Sequence, residues 1–200
     1  MNLKSKLAAA ALALTAVGSA VAGPIPWPGG GENTATYSFT ATATGPISAY
    51  FLGSNASYNE TLGLLVNGVQ LGATGLQNHS TPFGTELTFG NVTAGDSLVF
   101  FIDVQTTGDT WYSNSALNTD GGNHVYSTAY PGDAANGIPT GTYVGFEDLP
   151  ASTADWNYTD EQFSFTDVST TPAVPEPANV ALLLAGLGLM GVVARRRGAK

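Results

Sequence analysis

Leu62-Gly63-Leu64-Leu65-Val66-Asn67-Gly68-Val69-Gln70-Leu71 is the stretch on which the fold class turns. Two short apolar runs flank Asn67-Gly68, a pair that accepts the positive φ of both central positions of a type I′ turn, so the segment predicts a tight β-hairpin. Upstream, Thr36 to Thr44 alternates, with Tyr37, Phe39, Ala41 and Ala43 on one face and Thr or Ser on the other. That period of two marks a half-buried strand. Gly45-Pro46 turns the chain into a second strand, Ile47 to Leu52. Downstream, Glu86 to Val92 and Ser97 to Thr106 are joined by a turn at Ala94-Gly95-Asp96. Leu98 to Ile102 is apolar in both phases, which predicts a central strand covered on both faces. Gly141 to Phe146 and Gln162 to Val168 complete the set.

No segment between these strands carries a helical period. Seven or eight short strands with recurrent turns predict an all-β fold, a single jelly-roll-like β-sandwich over residues 34–168 rather than a closed barrel. Pro24, Pro26, Pro28 and Gly29-Gly30-Gly31 mark residues 23–33 as a linker, and residues 169–174 read as a second one.

Both ends are of a different kind. Lys4 and Lys6, the apolar run Leu7 to Val17 and the small residues Ala20-Val21-Ala22 form a signal peptide over residues 1–22, cleaved after Ala22. At the other end, Pro175-Glu176-Pro177 leads into seventeen uncharged residues, Ala178 to Ala194, which stop at Arg195-Arg196-Arg197. At 1.5 Å per residue that run spans about 25 Å, a minimal transmembrane helix. The basic cluster holds such an end in the cytoplasm.

All six Lys and Arg residues of the chain belong to these two ends. Residues 23–174 contain no Lys or Arg and fourteen of the fifteen carboxylates. A domain of that charge repels polyanions, which excludes nucleic acid as a partner. Its carboxylates have no internal Lys or Arg to pair with and must be solvated, share protons or bind metal. The chain has no Cys, so neither disulfides nor thiols contribute.

The Pro-Glu-Pro tripeptide, apolar run and Arg cluster at residues 175–198 together resemble the PEP-CTERM sorting domain of Gram-negative surface proteins. That resemblance implies recognition by an exosortase after Sec export. It also implies a transient stay in the inner membrane, anchored by the C-terminal helix, and then release to the cell surface or exterior.

Between the last strands, Gly145-Phe146-Glu147-Asp148-Leu149-Pro150 is followed by Asp155-Trp156-Asn157-Tyr158-Thr159-Asp160-Glu161. Glu147, Asp148, Asp155, Asn157 and Asp160 place hard oxygens in one loop, and Ca²⁺ takes six to eight of these in irregular geometry. The loop is not an EF-hand, because Asp160 stands where that loop needs Gly. A solvated acidic loop is the alternative. Gly-Phe-Glu-Asp-Leu, an Asn-Tyr-x-Asp stretch and a Phe-x-Phe strand also resemble an uncharacterised β-domain of bacterial surface proteins. Over Thr140 to Asp167 that resemblance implies a structural Ca²⁺ site on the same five residues; Thr159 departs from it, standing where Asn is more usual.

Other chemistry is less well served. His79 and His124 lie in polar segments and would need carboxylate partners to hold zinc. Glu147 with Asp160 or Asp155 could form a glycosidase pair, with Trp111, Trp156, Tyr112 and Tyr158 as sugar platforms. One compact sandwich offers such a pair only a shallow face. The sequence therefore reads as a non-enzymatic, exported surface or extracellular-matrix protein of the biofilm or exopolysaccharide kind. A carbohydrate-binding adhesin and a glycan-active enzyme are the alternatives.

Overall fold

A computed structural model describes residues 23–173. The signal peptide with Ala20 and Ala22, and the sorting segment with Pro175, Glu176, Pro177 and Arg195 to Arg197, lie outside the described residues. So does the apolar run 178–194; among the described residues no helix is long and apolar enough to cross a membrane.

Eleven strands form two antiparallel sheets. The first sheet orders β11 (Val168–Ala173), β1 (Thr36–Ala41), β6 (Ser97–Val104), β3 (Glu60–Val66) and β4 (Val69–Gln70), with β7 (Asp109–Tyr112) also on β6. The second orders β5 (Glu86–Val92), β2 (Gly45–Gly53), β10 (Glu161–Phe165), β9 (Gly141–Phe146) and β8 (Val125–Tyr130). The chain changes sheet at most connections, as a jelly-roll-like sandwich requires. The predicted hairpin is β3–β4, with Asn67 at φ 50° and Gly68 at φ 82° supplying the I′ turn.

The core lies between the sheets. Leu62 and Leu64 of β3, and Leu98, Phe100, Ile102 and Val104 of β6, face Ile47, Ala49 and Phe51 of β2, Val144 and Phe146 of β9, and Phe163 and Phe165 of β10. Phe100 and Phe165 stack across the layers at 3.8 Å. At roughly 25 cal/mol per Å² of apolar area, this aromatic layer is the main term holding the sheets together.

Three expectations need correction. Residues 169–173 of the expected second linker are not a linker: Val168–Ala173 is a strand in register with all of β1, from Thr36↔Ala173 to Ala41↔Val168. Its Thr and Ser residues mimic a polar connector because it is an edge strand with little apolar content. Residues 23–33 are not a loose linker either. Ile25 packs on a second cluster, Leu52, Tyr130, Ile138 and Tyr143, on the outer face of the second sheet. Trp27 meets Tyr126 at 5.0 Å, and Asn33 is buried. Strands β7 and β8 form between Thr106 and Gly141, where the sequence reading places no strand. Strand β6 is central as expected, and Phe101 on its outer face is buried too, lying over Gly63, where any Cβ would collide with the ring, and against Tyr112.

Candidate metal centre

Two strands meet at one edge of the core, and the loop between them delivers three acids there. Val144 and Phe146 of β9 point inward, and the chain continues directly into Glu147 and Asp148. Asp160 precedes β10, and its N–H donates to Phe146 O at 3.1 Å. Carboxylate oxygens of Glu147, Asp148 and Asp160 all lie within 4.8 Å of one another, and all three residues are buried.

The backbone of this loop is clamped from behind. Trp111 Nε1 donates to Asp148 O at 2.7 Å. His124 Nδ1 donates to Glu147 O at 3.0 Å, its ring stacked on Trp111 at 3.9 Å and 4°. Asp120 Oδ2 faces His124 Nε2 at 3.1 Å and accepts from Ala151 N at 2.8 Å. Asp148 N donates to Asp160 Oδ2 at 3.1 Å, while Glu147 accepts from Leu149 N at 3.2 Å and Trp156 N at 2.6 Å. Trp156 and Tyr158 take positive φ, 58° and 56°. For bulky residues that costs about 1–2 kcal/mol each, and Glu147 together with the buried Tyr158 hydroxyl, bonded to Asn33 N and Asn123 O, holds the loop in place.

The other two predicted ligands sit farther out. Asp155 is exposed, and it accepts from Asn157 N at 3.1 Å and Asn157 Nδ2 at 2.9 Å. Asn157 Oδ1 in turn accepts from Thr159 N and Thr159 Oγ1. Both residues nevertheless line the cavity of about 340 Å³ that Asp148 and Asp160 also line, closed on the far side by Asn55 to Tyr58. The five residues therefore divide into an inner triad and an outer pair.

Sequence reasoning missed two acids. Glu60 begins β3 opposite Val104, and Glu161 begins β10 opposite Phe146; both are fully buried. The signal was present in the strand period: Glu60 shares its face with Leu62 and Leu64, and Glu161 with Phe163 and Phe165. Starting the two strands at Leu62 and Gln162 hid it.

Five carboxyl groups thus gather where no Lys or Arg exists to offset them. Burial, then the charge of Asp160, pushes Glu147 up to about 8 from the ordinary 4.5, although the N–H groups of Leu149 and Trp156 oppose this. Burial, then the charge of Asp148, pushes Asp160 up to about 7. Glu60 and Glu161 are also raised, chiefly by burial. Such a cluster either holds protons or takes a cation.

The histidines divide as well. His79 is exposed, bonded through Nε2 to Tyr58 O at 2.8 Å. His124 is fully buried rather than solvated, and it acts on the loop backbone.

Comparison with known proteins reaches only the C-terminal segment. Residues 173–197 match the family model of the PEP-CTERM protein-sorting motif. The chain is an exported protein targeted to an exosortase. No curated protein and no solved structure matches the chain. The PEP-CTERM match begins at Ala173, the last residue of β11, so the sorting signal follows the sandwich without a spacer. Because Ala173 pairs with Thr36, close to Asn33 and its bond to Tyr158, the chain leaves the sandwich at the acidic end.

Proposed function

We propose that this PEP-CTERM protein is a structural component of the cell surface or extracellular matrix, whose sandwich is stabilised by Ca²⁺ bound at Glu147, Asp148 and Asp160. The observation that carries the reading is the convergence of these buried carboxylates in a domain without Lys or Arg. Three carboxylates within 4.8 Å are a hard-oxygen donor set, without the nitrogen or sulfur that zinc prefers. Asp155 and Asn157, on the same cavity, supply outer oxygens or hold water on the ion. A cation here ties the Glu147–Asp160 loop to β9 and β10, and its binding free energy becomes folding free energy.

Two observations favour a structural role over sugar chemistry. Trp111 and Tyr158, read from sequence as sugar platforms, are buried at 2% and 1% exposure. Trp111 spends its indole N–H on the loop backbone. Released outside the cell, the domain meets calcium at concentrations that extracellular sites of about 10⁻⁴–10⁻³ M affinity are built to sense.

Thermal unfolding of the full chain, with chelator and then with added Ca²⁺, tests the reading. Calcium should raise the melting temperature, and Asp148→Asn/Asp160→Asn should abolish the rise. An unchanged melting temperature in the wild type would remove calcium from the account.

A further inference from the structure

Glu60 and Glu161 have no part in the site as described so far. All four of their side-chain oxygens are buried with no hydrogen-bond donor in reach. A fully buried carboxyl without a partner costs several kcal/mol, and two facing the same acidic cluster cost more. Among the described residues the other buried side-chain atoms without a partner are two hydroxyls, Thr61 Oγ1 and Ser164 Oγ, while the buried amides Asn33, Asn118 and Asn123 each make several bonds. These two acids are therefore not casual occupants of the core.

Their placement is specific. Glu60 comes from the first sheet and Glu161 from the second, each at the end of an inward row of Leu or Phe. The Glu60 carboxyl lies beside the Asp148 side chain without bonding to it and feels the charges of Glu161, Asp148 and Asp160. Glu161 in turn feels Asp148. Asp148 is common to both interactions, belongs to the triad and lines the cavity.

We propose that Glu60 and Glu161 are inner ligands of the same cation site, one from each sheet, so that the bound ion bolts the two layers of the sandwich together at this end. The inference rests on the cation reading above and extends it from a loop clamp to a cross-sheet staple. Its chemistry fits a large, hard divalent ion: five carboxylates, from β3, β10 and the loop between β9 and β10, supply most of the six to eight oxygens that Ca²⁺ takes.

The test uses the full chain, Ca²⁺ alone and the variants Glu60→Gln and Glu161→Gln. Gln keeps the shape and removes the charge. Each variant should therefore melt higher than wild type without metal, yet bind Ca²⁺ about tenfold or more weakly and gain less from it. Calcium affinities unchanged in both variants would overturn the inference and leave the triad of Glu147, Asp148 and Asp160 standing. A wild-type chain that ignores Ca²⁺ would overturn both readings together. A second measurement needs no variant: the decay of Tb³⁺ luminescence in H₂O and D₂O counts the waters left on an ion in the calcium site. About two or fewer are expected if Glu60 and Glu161 ligate; about four or more would mean that they do not.

Discussion

Without metal, the domain should lose stability as the pH rises from 5 to 8. Glu60 and Glu161, both raised, steepen a loss that comes from Glu147, pushed up to about 8, and Asp160, pushed up to about 7, all chiefly through burial. In the unfolded chain Glu147 and Asp160 titrate near 4.5 and 3.8. Between the unfolded and folded values the native state holds protons that the unfolded state has released, so the stability gradient with pH is negative. The contribution is complete below the unfolded values and is lost as the pH passes through the folded ones. One pKa unit corresponds to about 1.4 kcal/mol, which bounds the Glu147 share at about 5 kcal/mol. The two carboxyls interact and titrate as a pair, so their shares do not add, and a net loss of about 3–5 kcal/mol is expected. For a domain of this size that lowers the melting temperature by roughly 10 °C. Ordinary exposed carboxylates are already ionised at pH 5, so general self-repulsion changes little over this window. The assay is calorimetric or circular-dichroism melting at pH 5, 6, 7 and 8 after dialysis against chelator, with Glu147→Gln as the comparison. That variant should flatten the slope, and saturating Ca²⁺ should abolish it above pH 6. A metal-free melting temperature that holds constant or rises from pH 5 to 8 would refute the reasoning.

Further outcomes follow from the scaffold around the site. Trp111→Phe keeps most of the ring but leaves Asp148 O without its 2.7 Å donor, and should cost about 1–3 kcal/mol in denaturant unfolding with a weaker calcium response. Gly145→Ala would drive a methyl group into Tyr158 O, displacing the acidic loop; a loss of about 1–3 kcal/mol and a reduced calcium increment should appear in the same assay. Ending the chain after Asp167 removes β11 and bares the β1 edge, so the product should aggregate or be digested by protease, whereas a chain ended after Ala173 should resist.

Much of the fold was legible in the sequence because its strands alternate cleanly. Glu86–Val92 and Gly141–Phe146 fall on their predicted bounds, and the Asn67-Gly68 turn forms where its chemistry demands. What the sequence hid was structure whose stability comes from elsewhere in the molecule. Strand β11 is polar and owes its place to a six-residue register with β1. Residues 23–33 look like a Pro- and Gly-rich connector, yet Ile25 and Trp27 complete the outer cluster on the second sheet. At the site, the acidic run drew attention to residues adjacent in sequence, and the structure selects Glu147, Asp148 and Asp160 from it while leaving Asp155 and Asn157 at the rim. Glu60 lies 87 positions before Glu147 and reaches the cluster only because β3 and β9 face each other across the core. No local motif could announce it; the inward phase of Leu62 and Leu64 could.

The central claim is that a divalent cation sits among these carboxylates, and a crystal structure from calcium-containing solution, with long-wavelength anomalous data, tests it most directly. The account predicts one strong anomalous peak with oxygens of Glu147, Asp148 and Asp160 at about 2.3–2.6 Å, deep enough for Glu60 and Glu161 to reach it. A cluster that holds only water, with its carboxyl groups paired to one another at saturating calcium, would contradict it.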